Sequence, residues 1–179
     1  MGVRKGLKKD RLGDAALHIS SKAVEDSATR IAPTGSLLVL VRGMGLANGI
    51  AITELISSCA FNQDIKGIHP NPEISPRFLL LSLRSAFARP NKLLSNAAHG
   101  TLKVDMDGLR NIKLFIPSRA VQEKVVAHID AQSIETQRLA SIYRKKLEAL
   151  ELFKKSLLHK ALSGELTAPP SQAIKEAAE

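Results

Sequence analysis

Residues 118–163 contain neither glycine nor proline, while the other 133 positions hold all nineteen of those residues. Proline breaks a helix by removing a donor and clashing with the preceding turn, and glycine weakens it through backbone entropy. A run of 46 residues without either is therefore free to form one long helix. It begins just after Ile116-Pro117 and ends at Ser163-Gly164, a fitting C-cap. Leu139, Ile142, Tyr143, Leu147, Leu150, Phe153, Leu157 and Ala161 recur at helical spacing and form a stripe along one face. Leu152, Leu158 and Leu162 widen it, so more than one neighbour is expected to pack there. Arg144, Lys145, Glu148, Glu151, Lys154 and Lys155 occupy the opposite face. Between residues 130 and 138 the apolar signal thins to Ala131 and Ile134, leaving open a solvated middle or a break between two helices. Such an element is a spacer and an assembly surface rather than a catalytic device.

The chain has 179 residues, enough for one domain plus this extension. Its net charge is +9, distributed unevenly. Residues 1–116 carry 16 Lys and Arg against 9 Asp and Glu, and residues 117–179 carry 10 against 8. The basic excess lies on the first domain, and a polyanion such as nucleic acid is its natural partner. Residues 1–20 read as a basic lead-in, either without fixed structure or an expression remnant. Cys59 is the only cysteine, so no internal disulfide exists and a reducing cytoplasm is the expected location. No apolar run approaches membrane-spanning length, and the opening residues lack the apolar core of a signal peptide. Only six aromatic residues are present, too few for a platform that stacks single strands, so a duplex is the better-suited nucleic acid.

The spacing over residues 21–116 predicts a small α+β domain. Ser36-Leu37-Leu38-Val39-Leu40-Val41-Arg42 reads as a buried strand, and Gly43-Met44-Gly45 as a tight turn. Residues 50–53, 56–61 and 65–68 read as further short strands, with Asn48-Gly49 as a hairpin signal. Residues 76–89 form the one clear helix, opened by Pro76 and stopped by Pro90. His99-Gly100-Thr101 reads as a loop, residues 112–116 as a final strand, and residues 167–179 as a polar tail.

No catalytic constellation accompanies this fold. Gly43-Met44-Gly45 superficially matches a dinucleotide-binding turn, but strand-like Ile50-Ala51-Ile52-Thr53 follows instead of a helix. Asp64 and Lys66 hint at a metal-dependent nuclease, with only Asp105 and Asp107 as loose second ligands. The backbone-bonding role of Asn62 and Asp64 at a strand end is the plainer alternative. The five histidines show no ligand spacing, and no metal site is expected. His99 either reaches toward a groove or fills a turn.

Taken in order, several segments resemble the DNA-specificity subunit of type I restriction–modification systems. They are Thr34-Gly35 through Val41-Arg42-Gly43-Met44, Phe61-Asn62-Gln63-Asp64, Ala98-His99-Gly100-Thr101, Ile116-Pro117 with Gln122-Glu123 and Val125-Val126, and Leu157-Leu158 through Ser163-Gly164-Glu165-Leu166. The resemblance covers about residues 20–166. It implies a target-recognition domain over 21–116, lacking its usual front part, and a dimerisation and docking helix over 117–166. Full-length subunits of that family carry this pair twice, so the chain corresponds to half of one. It also lacks the family's Trp-containing front segment, and the acidic–glutamine pair after the proline appears here as Gln122-Glu123.

The resemblance implies a non-catalytic subunit that reads one half of a bipartite duplex target. It implies methyltransferase subunits docked on the helix and holding S-adenosylmethionine, a restriction subunit joining them, and a homodimer through the helix. This chain itself would hold no cofactor. Arg42, Lys66, Arg84, Arg89, Lys92 and Lys103, placed near turns or helix ends, are the expected phosphate contacts. Asn96, His99 and Thr101 are the expected base readers. The helix, about 70 Å long at roughly 1.5 Å per residue, would act as a ruler between half-sites. Two alternatives stand beside this reading: a helical dimerisation scaffold that no longer binds DNA, and a small metal-dependent nuclease.

Overall fold

The computed structural model describes residues 9–15, 17–88, 93–96, 101–164 and 166. In chain order these form β1 (Arg11–Leu12), α1 (Ser21–Glu25), β2 (Arg30–Ala32), β3 (Leu37–Leu40), a 3-10 turn (Met44–Asn48), β4 (Ile52–Leu55), β5 (Cys59–Phe61), β6 (Ile65–Ile68), α2 (Pro76–Ala88), β7 (Leu94–Asn96), β8 (Leu102–Val104), α3 (Met106–Arg110) and α4 (Arg119–Leu162). Small mixed sheets, short helices and one long helix make an α+β fold, as the residue patterns predict. The chain divides into two units, Met1–His128 and Ile129–Glu179, the second made largely by the later turns of α4.

The core of the first unit grows from β3. Its four residues are all apolar and all buried, the pattern of a strand covered on both faces. β3 lies inside a four-stranded sheet of order β1-β4-β3-β6. It pairs antiparallel with β4, Leu38 opposite Thr53, and with β6, Leu38 opposite Gly67. Helix α2 packs against β4. Ser75 caps it and Pro76 occupies its first position, where a missing N–H costs nothing. Leu37, Leu38, Leu46, Ile52, Leu55 and Leu80 fill the interior. Each such side chain contributes about 1.5–3 kcal/mol by leaving water. Two smaller antiparallel pairs, β2 with β5 and β7 with β8, complete the unit.

Several boundaries differ from expectation. The lead-in over 1–20 contributes β1, which runs parallel to β4 with Leu12 buried opposite Leu55. The turn at Gly43 continues as a 3-10 turn to Asn48. The strand expected at 50–53 is shifted to Ile52–Leu55, and the one at 56–61 shortens to Cys59–Phe61. Residues 112–116 form no strand. Ile112 and Leu114 are half-buried and Lys113 and Phe115 exposed, so the alternation is present, yet the segment joins none of the described ladders. Arg89 and Pro90, and the His99-Gly100 loop, lie outside the described residues.

Helix α4 is continuous through 130–138, where the apolar pattern thins. Gly164 follows it with φ of 80°, the left-handed conformation of a C-cap. Within the second unit, the stripe residues from Leu139 to Leu157 are between 41% and 64% exposed, and Ala161 is exposed as well. No described helix is long and apolar enough to cross a membrane.

Candidate nucleic-acid interface

Three of the expected cations come together. Beyond β3 the chain runs on to Val41 and Arg42, and this extension receives segments from both sides. Val41 donates its N–H to the Asp64 carbonyl at 2.8 Å, which holds the turn leading into β6. On the other side Val104 donates to the Val41 carbonyl at 2.9 Å, and Gly43 donates to Leu102 at 3.1 Å. A bridge between Arg42 and Lys103 continues this pairing. Lys66, at the start of β6, is registered against Val39. Arg42, Lys66 and Lys103 consequently line one open depression of about 630 Å³, together with Gln63, Ser95 and Asp105. All three cationic side chains are exposed.

One acid shares that rim. The Asp105 carboxylate accepts from the backbone N–H groups of Asp107 and Gly108, both at 3.2 Å, and so caps α3. Its charge is directed toward those donors, while the three cations face an open depression where phosphate oxygens would find positively charged donors.

Asn96 ends β7, and Thr101 directly precedes its antiparallel partner β8. Asn96 is registered against Leu102, the residue after Thr101, and Ser95 against Lys103. Asn96 is exposed and Thr101 half-buried. Arg89, Lys92 and His99 lie outside the described residues.

Arg84 is placed elsewhere. Its guanidinium pairs with Asp10 and donates to the Ile52 carbonyl at 3.2 Å. Arg77 reaches the other Asp10 oxygen at 2.9 Å. These contacts tie the segment before β1 to helix α2. Burial alone would raise the Asp10 pKa, but hydrogen bonds and charge from Arg84 and Arg77 outweigh it and hold the carboxyl below its ordinary value. Arg84 thus braces the fold, a role hidden in the sequence because its partner lies 74 positions away.

A structural clamp is formed by Gln122, which residue patterns mark only by its place after Ile116-Pro117. It is 1% exposed in the first turn of α4. Its amide accepts from Ser75 N–H at 2.8 Å and donates to the carbonyls of Pro117 at 2.9 Å and Glu73 at 3.2 Å. The start of α4 is thereby fastened to the loop before α2.

A second cavity of about 420 Å³ is lined by Leu12, Asp14, His18, Cys59, Phe61 and neighbours. Burial, with the nearby Asp14 charge, pushes the Cys59 thiol upward, away from the nucleophilic thiolate. Among the described residues no group of three or more His, Cys, Asp or Glu is placed to hold a metal ion.

A scan against protein-family models finds no match, and a search of curated proteins finds none. Among solved structures, the chain is similar in fold to one from a study of complex assembly and conformational transition of the type I R-M system. The TM-score is 0.61 at 18% sequence identity, over 74% of this chain. The match covers 31% of that chain, so this protein spans about a third of the length of its structural neighbour.

Proposed function

We propose that the chain is a non-catalytic, duplex-DNA-recognising component of a type I restriction–modification complex. The first unit binds one half of a split target, and α4 joins a second copy and docks methyltransferase subunits. In this reading S-adenosylmethionine is held by those methyltransferase partners, and a restriction subunit joins the assembly. The observation that carries the proposal is the convergence of Arg42, Lys66 and Lys103, from three separate segments, on one open depression. The fold likeness to a type I R-M chain supports the same reading, as does the net positive charge of residues 1–116. The exposed stripe on α4 supports the assembly role, because an apolar face of that extent is stabilised by a partner helix.

The test is titration of a labelled duplex with the full chain at several salt concentrations, alone and with a methyltransferase partner. Affinity should fall linearly in a log–log plot against salt, as it does when bound phosphates release counterions. Absence of duplex binding under both conditions, with a dimer still formed, would favour the helical scaffold instead.

A further inference from the structure

We propose that Met44 is a base-reading residue whose side chain contacts the 5-methyl group of a thymine in the bound duplex. This inference rests on the duplex-binding reading above and adds a specificity determinant to it.

Met44 stands between Gly43 and Gly45 at the start of the 3-10 turn Met44–Asn48. The turn is held from beneath. Leu46 is fully buried, its N–H donates to the Gly43 carbonyl at 3.2 Å, and Gly49 donates to the Leu46 carbonyl at 3.0 Å. Gly43 and Gly49 enter and leave with φ of 130° and 100°, values that side-chain-bearing residues rarely adopt. A Cβ at Gly45 would approach Leu40 Cδ2 at 3.2 Å, so the turn also lies close against β3. From this fixed base the Met44 side chain projects 74% exposed.

A single exposed apolar side chain is ordinary by itself. Its surroundings set this one apart. Arg42 lies two residues earlier, and Gly43 donates to Leu102, the neighbour of Lys103. The turn also packs against β8. Along the backbone, Met44 is therefore two residues from Arg42 and, through the Gly43–Leu102 hydrogen bond, close to the strand that carries Lys103. Contacts to phosphates position a protein, and base edges in the adjoining groove are then read by what lies next to those contacts. The one apolar group displayed in the major groove is the thymine methyl. A flexible, polarisable thioether suits such a contact. Ala47 and Asn48, the other exposed residues late in the turn, add little apolar surface, so the turn is too small a patch to hold a protein partner.

The experiment selects a preferred duplex from a random pool with the full chain. Each thymine is then replaced by deoxyuridine, which removes only the methyl group. At one position the replacement should weaken wild-type binding about fourfold, the effect of one methyl-sized apolar contact. The same replacement should leave Met44→Ala binding unchanged, while Met44→Ala keeps the wild-type salt slope and unfolding midpoint. If every deoxyuridine duplex affects both proteins equally, Met44 reads no methyl group and the inference falls while duplex binding stands. If the wild-type chain enriches no duplex, the duplex-binding reading falls and this inference with it.

Discussion

Gln122 accepts a hydrogen bond from the backbone N–H of Ser75 at 2.8 Å, joining α4 to the entry of α2 across 47 positions of sequence. The same amide donates to the Glu73 and Pro117 carbonyls, so one buried side chain satisfies three backbone groups. An unsatisfied buried donor or acceptor costs about 1–3 kcal/mol. Gln122→Leu, close in volume but without the amide, should therefore destabilise the first unit by about 2–4 kcal/mol. Urea denaturation of the full chain, followed by far-ultraviolet circular dichroism, measures this. A loss below about 0.5 kcal/mol would show that water replaces the amide without penalty.

Asp10 gives the fold a pH-dependent brace. Its pKa is lowered in the folded chain, because hydrogen bonds and charge from Arg84 and Arg77 outweigh the burial that opposes them. A lowered folded pKa means that the unfolded chain takes up the proton first as pH falls. The stabilisation is thus complete above the ordinary aspartate value of 3.8 and is lost as pH drops below it through the folded value. Asp10→Asn should lower stability at neutral pH, by no more than about 1 kcal/mol because the Asp10 side chain is 44% exposed and solvent screens its ion pairs. The difference between variant and wild type should close as acid protonates Asp10. Chemical denaturation at pH 7, 4 and 3 follows this, and a gap independent of pH would assign the effect to packing.

Residue patterns reveal β3, α2 and α4 well because each is either strongly apolar or long enough to show a period, while β6 is marked by the His69-Pro70 that closes it. β1, β2, β7 and β8 are two or three residues long, too short for alternation to be recognised. Residues 112–116 illustrate the opposite failure: alternation is present, but a strand also requires a neighbour offering backbone donors and acceptors. The same distinction governs the candidate site. Arg42, Lys66 and Lys103 are visible as charges near turns, but their meeting depends on Val41 pairing with Asp64 and Val104, contacts far apart in sequence. Arg84 looks equivalent until Asp10 is placed beside it.

That difference between Arg84 and the clustered cations makes a direct comparison. Lys66→Ala and Lys103→Ala should each reduce the slope of log affinity against log salt by about 1, with little change in stability. Arg84→Ala should leave the slope unchanged and instead lower the unfolding midpoint, because it removes the brace to Asp10 and Ile52. Salt-dependent duplex titration combined with thermal unfolding separates the two. Equal slopes for all three variants would dissolve the proposed cationic depression.

The stripe on α4 leads to two linked expectations. Leu147→Glu combined with Phe153→Glu should abolish self-association, because a charge placed in a paired helical seam is desolvated without a partner. Sedimentation equilibrium would show a monomer in place of the proposed dimer. The second expectation concerns the helix as a spacer. Inserting seven residues between Leu139 and Leu150 adds about two turns and nearly preserves the phase of the stripe, with a drift of only about 20°. The helix lengthens by about 10 Å at roughly 1.5 Å per residue. Since base pairs rise by about 3.4 Å, the preferred gap between half-sites should grow by about three base pairs. Selection from duplex pools with variable spacers, carried out on the assembled complex, reads this directly. A gap that stays the same with the longer helix would mean that spacing is set elsewhere, and α4 would then be an assembly surface only.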